Sequence, residues 1–550
     1  MSEHPHARPG WGDAARLTIP AGLSRSAEAS PDKLAVRFPQ EDVTYQQMWR
    51  RSTALANGLA ELGVGRDDSV AVLMRNSADQ LFTWFATAML GAVYVPINTA
   101  YRGTYLRHPL EVASVRVLVV DEHLSEPALA VASQLDSLRH LVVRGGDITG
   151  LDAGRVAVHP LESLTSAESG RLLVPVSPAW NDPNAVLFTA GTTGPSKGGS
   201  MTQNYLVRAA QQILHARGGR PEDVYYNPLP LFHGNAMLLG ALGPLLSGAT
   251  AAFEENFSVS RFWDRVRHFG ATQLSILGPL MLMLWKQDPR PDDADNPARV
   301  MMAVPIPAEL HRPIEERFGL RIVTAYGLSE CVPVTLSSLA DPAPPGSSGK
   351  PNPMFDVRLF DDDDQEVPAG EVGEIVCRPL EPHVMFEGYL NNPEATARMW
   401  RNLWFHTGDL GRFDEHRNLS FVDRKKDYLR RRGENISSFE VERGLLEHPD
   451  VLEAAVLGVP SDLSEEEVMA FLVRRPGSDL DHQGLLDHCV AHLPYFAVPR
   501  YLEFVDELPK NPVGRVQKFT LRERGVGAAT FDREAAGYVI ERTDRRPQPA

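Results

Sequence analysis

At 550 residues the chain is too long for a single hydrophobic core, so at least two domains are expected. A formal net charge of −16 excludes nucleic-acid binding as the main business, because phosphate contacts need basic surface; any nucleotide must sit in a local basic patch. Cys331, Cys377 and Cys489 are too few and too scattered for a disulfide framework or a zinc site, suiting a reducing cytosol, and no apolar run reads as a signal peptide or a membrane span.

An amphipathic entry helix is expected over 16–30, stopped by Pro31. Segments 35–38 and 43–45 read as a strand pair, followed by a helix over 45–62 that Gly63 and Gly65 end. Short apolar strands at 70–74, 93–97 and 117–120 alternate with a helix over 78–90. This alternation predicts a largely parallel sheet covered on both faces, and no internal repeat is visible.

A strand ending in Val186-Leu187-Phe188 runs into Thr189-Ala190-Gly191-Thr192-Thr193-Gly194-Pro195-Ser196-Lys197-Gly198. Glycines let backbone N–H groups turn inward as an anion nest, hydroxyls add donors, and Lys197 supplies charge, as a polyphosphate requires. The Walker spacing cannot be laid on these residues. A helix over 205–216 follows, then Pro228-Leu229-Pro230-Leu231-Phe232-His233-Gly234. After a strand at 321–323 comes Tyr326-Gly327-Leu328-Ser329-Glu330, in which Tyr326 can stack a flat base and Glu330 can hold magnesium through hard oxygen.

A β-rich stretch opens at Gly346, and the acidic run 361–364 reads as a solvated hairpin turn. Gly388-Tyr389-Leu390-Asn391-Asn392-Pro393 and His406-Thr407-Gly408-Asp409 follow, and Asp409 is an acceptor-only side chain suited to hydroxyls. The charged run 423–427 precedes Arg432-Gly433-Glu434, and beyond it a helix at 440–446 and strands at 454–460 and 468–473 predict a compact α+β unit reaching about residue 525.

These motifs, over roughly residues 20–525, resemble the adenylate-forming (AMP-binding) superfamily, and the 93–107 region is similar to its carnitine/crotonobetaine-CoA ligase group. The resemblance implies an α/β adenylate-forming fold: a large N-terminal domain over 1–422 of mostly parallel sheets covered by helices, with a β-rich subdomain. A hinge at 423–427, with Lys426 as pivot, would carry a small mobile α+β domain over 428–550. It implies ATP, Mg2+ and coenzyme A, with Thr189, Ala190, Gly191, Thr192, Thr193, Gly194 and Lys197 on phosphates and Thr193 and Glu330 on the metal. Tyr326, Gly327 and Ser329 would serve adenine, Asp409 ribose, Arg424 the nucleotide charge, and Gly433 the thiol tunnel. His233 would gate or orient a carboxylate; a base is not needed there, because a carboxylic acid of pKa about 4 is already ionised. The partners implied are a hydrophobic carboxylic acid and CoA, in a cytoplasmic monomer or homodimer.

Two departures from the family stand out. Ala303-Val304-Pro305-Ile306-Pro307 replaces a Gly-Gly-Ala-Pro type turn, and Arg515 stands where the family places its adenylation lysine. Arginine keeps the charge, but its planar fork is not equivalent to a point ammonium. Three explanations stay open: Arg515 serves as it is, Lys518 substitutes, or adenylation is weakened and only thioester formation from a preformed acyl-adenylate remains. Carrier-protein loading, luciferase-like oxidation and a nucleotide-binding sensor are the rival readings.

Overall fold

The computed structural model describes residues 16–165, 171–173, 177–189, 196–304, 306–424, 429–431, 434–436, 438–461, 465–509, 516 and 518–540. Their contacts divide into two units. The first comprises the described residues within Met1–Ile97, Leu110–Leu187 and Gly198–Asp423; the second those within Asn98–Pro109, Phe188–Lys197 and Arg424–Ala550.

Two large sheets organise the first unit. In the eight-stranded sheet Val93–Pro96, Ser69–Leu73, Val115–Asp121, His140–Arg144 and Ala157–Pro160 run parallel in that spatial order. Pro183–Thr189 joins alongside Val93–Pro96, and Gly388–Tyr389 pairs antiparallel with Lys197–Thr202. The seven-stranded sheet is parallel from Arg321–Val323 through Val300–Val304, Gln273–Leu277, Val224–Asn227 and Thr250–Phe253 to Leu34–Phe38, and closes with the antiparallel strand Glu41–Thr44.

The helices start where the sequence places their caps. Thr44 and Gln47 form a reciprocal capping box for Tyr45–Glu61, which satisfies two otherwise orphaned donors. Ser77 caps Ala78–Met89, in which every residue except Asp79 is buried. A helix buried almost all round must satisfy its polar side-chain atoms internally, and Trp84 does so by donating Nε1 to Asn184 Oδ1 at 2.9 Å.

The β-rich part is an antiparallel sheet of Phe355–Phe360, Val372–Pro379, Trp404–Phe413 and Trp400–Arg401, with Leu419–Arg424 paired to Trp404–Phe413. The acidic run corrects the expectation of a wholly solvated turn. Asp361, Asp362 and Asp363 are exposed, but Asp364 turns inward at φ 59° and accepts from Arg401 Nε at 2.8 Å and Asn402 Nδ2 at 2.6 Å.

In the second unit Val451–Pro460 pairs antiparallel with Glu466–Arg474, which runs parallel to Tyr501–Phe504. Ser438–Leu446 and His482–His492 pack on this sheet through Val441, Leu445, Leu485 and Leu486. The unit does not stop near residue 525. Phe531–Asp532 adds an antiparallel strand and Tyr538 and Ile540 pack on the same core, because their apolar surface still has strand edge and helix face to cover.

Candidate active site

The sequence Tyr326-Gly327-Leu328-Ser329-Glu330 is folded as a tight antiparallel hairpin between Ala325–Leu328 and Cys331–Leu336, in which Leu328 faces Cys331 and Ser329-Glu330 form the turn. Gly327 is required by space: a Cβ there would lie 2.9 Å from Val332 Cγ2 and 3.0 Å from the Cys331 carbonyl oxygen. Hairpin turns normally face water, yet Glu330 is only 6% exposed. Tyr389 covers it and donates its hydroxyl to Glu330 Oε1 at 2.6 Å, while Phe386 N donates to the Glu330 carbonyl at 2.8 Å. Tyr205, fully buried, donates to the Ser329 carbonyl at 2.9 Å and holds the turn from below.

Asp409 arrives from the strand Trp404–Phe413 and is 3% exposed. Its neighbours fix it through a short relay. Thr407 Oγ1 donates to the Ile375 carbonyl at 2.7 Å and accepts from Asp409 N at 3.1 Å. Glu374 Oε1 accepts from Gly408 N at 3.2 Å, at a residue whose φ of 73° suits glycine. Tyr326 donates its hydroxyl to Asp409 Oδ2 at 2.8 Å. Burial first, and the adjacent Asp409 charge second, push the Tyr326 phenol well above its ordinary range, so it stays a protonated donor. Phe421 sits beside this pair with its ring centre 6.3 Å from that of Tyr326, and at 45% exposure it offers an open aromatic face.

The ends of the glycine- and hydroxyl-rich loop are Thr189, last residue of Pro183–Thr189, and Lys197, first of Lys197–Thr202. Thr189 Oγ1 lies 3.5 Å from the Lys197 carbonyl, so the strands bring the two ends together. Ala190, Gly191, Thr192, Thr193 and Gly194 lie outside the described residues, as do Lys426, Gly433 and Arg515. Arg424 ends the strand Leu419–Arg424. Lys518 is engaged inside the second unit, 2.6 Å from Glu442 Oε1 and donating to Ser438 Oγ at 2.8 Å.

His233 is half-buried, with its ring centre 4.6 Å from that of Phe232. The loop that carries it is moored by two amides whose roles the sequence did not disclose. Asn76 donates to the carbonyls of Leu229 and Glu254, both at 2.9 Å, and accepts from Leu231 N at 2.7 Å. Asn227, fully buried, accepts from Leu229 N at 2.9 Å and donates to Asn235 Oδ1 at 3.1 Å. Ala236–Leu242 then continues as a π-helix, a form that often marks functional segments. Met281, Leu284 and Ile306 pack in one buried apolar cluster, and Cys331 and Val334 in another. The unusual bulk at Ile306 therefore fills the core beside Met281 and Leu284.

Tyr389, Phe421 and Asn76 were not singled out by sequence reasoning. Tyr389 stood inside a recognised motif, which was its only signal. Phe421 is an ordinary strand residue and Asn76 lies in the bend just before the cap Ser77, so their roles need the fold.

An α/β body of two mostly parallel sheets with a β-rich subdomain and an α+β C-terminal unit is the architecture of the adenylate-forming enzymes. The chain belongs to that class as an AMP-binding enzyme: the model of that family matches residues 23–390, and that of the AMP-binding enzyme C-terminal domain matches 440–515. Among curated proteins it is similar to the crotonobetaine/carnitine–CoA ligase of Salmonella arizonae, 29% identical over 506 residues, covering 89% of this chain and 96% of that protein. The ligase of the same name from Salmonella typhi is 30% identical over 501 residues, with 89% and 96% covered. Among solved structures, the anthranilate CoA ligase AuaEII in complex with anthranoyl-AMP superposes with a TM-score of 0.70 at 25% identity, covering 93% of this chain and 97% of that one. The amide bond synthetase McbA from Marinactinospora thermotolerans gives 0.80 at 25% identity, with 92% and 99% covered.

Proposed function

We propose that this enzyme acts on a hydrophobic or medium-sized carboxylic acid, with Tyr326, Asp409 and Glu330 forming the fixed nucleotide side of its site. The reaction is that of an AMP-forming acyl-CoA synthetase. An oxygen of the substrate carboxylate attacks the α-phosphorus of ATP and pyrophosphate leaves, giving a mixed anhydride. The sulfur of CoA then attacks the acyl carbon, the carbon–oxygen bond to AMP breaks, and the thiol proton is lost to solvent.

The buried hydrogen bond between Tyr326 and Asp409 carries the reading, because it joins an aromatic side chain and an acceptor-only carboxylate from distant chain segments. Asp409 Oδ1 accepts from ribose hydroxyls, and Tyr326 and Phe421 provide the aromatic surface for adenine. Thr189, Ala190, Gly191, Thr192, Thr193, Gly194 and Lys197 hold the phosphates. Glu330 fits a hard cation, since it is a buried carboxylate with one oxygen already held, and Thr193 completes the protein ligands. Bound Mg2+ supplies neutralisation of the triphosphate charge. His233, fixed by the Asn76 and Asn227 moorings, orients the acid.

Arg515 brings positive charge from the small domain over 428–550 and Arg424 brings it from the hinge over 423–427, about which that domain swings with Lys426 as pivot. The turn at Gly433 lines the path of the CoA thiol after the swing. The protein works in the cytoplasm as a monomer or homodimer; among the described residues no helix is long and apolar enough to cross a membrane.

One specific observation favours a second reading. Arg515 replaces the lysine, and Lys518 is already paired with Glu442, so the enzyme could retain only thioester formation from a preformed acyl-adenylate. Pyrophosphate exchange with a panel of acids, followed by thioester assay with synthetic acyl-adenylate, decides. Exchange plus thioester supports the full ligase, thioester alone the second reading, and neither overturns both.

A further inference from the structure

Three features converge on the short strand Gly388–Tyr389. Its backbone lies antiparallel to the strand that leaves the glycine-rich loop, with Gly388 opposite Ser200 and Tyr389 opposite Gly199. Glu387 N donates to the Ser200 carbonyl and Leu390 N to the Gly198 carbonyl, both at 2.8 Å, so the strand is tied on either side of Tyr389. Gly198 is the neighbour of Lys197 in the chain. The Tyr389 hydroxyl then reaches Glu330 Oε1 at 2.6 Å, and Phe386 N takes the Glu330 carbonyl. Glu330 is thus held at both its side chain and its backbone by one segment, although it sits at a hairpin turn.

Tyr389 is itself well fixed. Its N–H donates to Thr396 Oγ1 at 2.9 Å, its ring packs edge-on against Phe386 with centroids 5.1 Å apart, and it is 7% exposed. A hydrogen bond to one carboxylate oxygen restricts rotation of the carboxylate, and among the described residues no donor is recorded for Glu330 Oε2. A hard cation therefore meets an oriented single oxygen rather than a freely turning pair. Partners of this kind around metal-binding side chains tune affinity without touching the metal.

We propose that Tyr389 is a positioning residue for the divalent cation: its hydroxyl orients Glu330, and its strand sets that carboxylate in register with the strand leaving the phosphate loop. This rests on the reading of Glu330 as a metal ligand. The linkage also explains why a polar tyrosine hydroxyl is buried on a carboxylate rather than turned to water, which costs free energy unless the bond is made.

The test uses the full chain with Mn2+ as probe. Free Mn2+ is titrated by electron paramagnetic resonance in the presence of ATP, and metal-free ATP binding is measured separately by calorimetry in EDTA. Tyr389→Phe keeps the ring and removes only the hydroxyl; Glu330→Gln is the reference variant. The expected result is Mn2+ binding about tenfold weaker in Tyr389→Phe, and weaker still in Glu330→Gln, with metal-free ATP affinity unchanged in Tyr389→Phe and its thermal midpoint lowered only by the loss of one buried hydrogen bond. Loss in Glu330→Gln with wild-type Mn2+ binding in Tyr389→Phe would overturn the positioning role and leave the metal role of Glu330 standing. Wild-type Mn2+ binding in Glu330→Gln would overturn both. A fall in metal-free ATP affinity in Tyr389→Phe as large as the fall in Mn2+ affinity would make the hydroxyl a general structural support and overturn the proposal.

Discussion

Tyr326 and Asp409, 83 residues apart in the chain, meet through a 2.8 Å hydrogen bond from the phenol to Asp409 Oδ2. One oxygen of the carboxylate is thereby held before any nucleotide arrives, and the aromatic ring and the acceptor are locked to each other.

Asp409→Asn should weaken ATP binding by about tenfold or more, since a hydrogen bond to a charged group contributes about 1.5–3 kcal/mol. The loss should be much smaller with 2′-deoxy-ATP if the carboxylate takes a ribose hydroxyl. Calorimetry with both nucleotides on both proteins gives the coupling directly; equal losses would remove Asp409 from the ribose.

Asn76 makes three hydrogen bonds to backbone groups of the His233 loop and of Glu254. Asn76→Ala leaves them without that partner and should cost about 1–3 kcal/mol of stability. Because the loop positions His233, the KM for the acid should rise more than the KM for ATP. Thermal unfolding and steady-state kinetics check the two parts, and an unchanged acid KM would separate Asn76 from the acyl site.

Within the second unit Arg431 is 2% exposed, lies 2.5 Å from Glu467 Oε2, and donates to the carbonyl of Phe496 at 2.8 Å. Removing one partner of a buried ion pair leaves the other charge uncompensated. Arg431→Ala should therefore destabilise this unit by about 3–5 kcal/mol. Proteolysis of the C-terminal region should accelerate while the large unit keeps its own unfolding transition.

Burial pushes the Cys489 thiol up to about 12 from its ordinary 9.0. In the unfolded chain the thiol ionises above pH 9, but in the folded protein it stays neutral. The stability linked to this group is thus fully present below pH 9 and is lost as pH rises from 9 towards 12, by about 1.4 kcal/mol per pH unit. Cys489→Ala should unfold with a shallower alkaline slope in denaturant titrations at pH 9–10.5, whatever its stability at neutral pH. An identical slope would show that the thiol ionises in place.

What the sequence determined on its own was local. The alternation of apolar strands and capped helices carries its own signal within ten or twenty residues, and Thr44 with Gln47 marks the start of Tyr45–Glu61 as clearly in the string as in the fold. The glycine-rich loop and the Tyr326 and Asp409 motifs are likewise contiguous, which makes the family and its fold legible. Only the tertiary structure decided which side chains meet. Glu330 and Tyr389 are 59 positions apart and Asn76 and Leu231 are 155 apart, and no periodicity encodes such pairs. The same holds for Asp364, drawn from solvent by Arg401, and for Lys518, neutralised by Glu442. Strand order and register place these groups within hydrogen-bond reach, and burial then makes each bond obligatory.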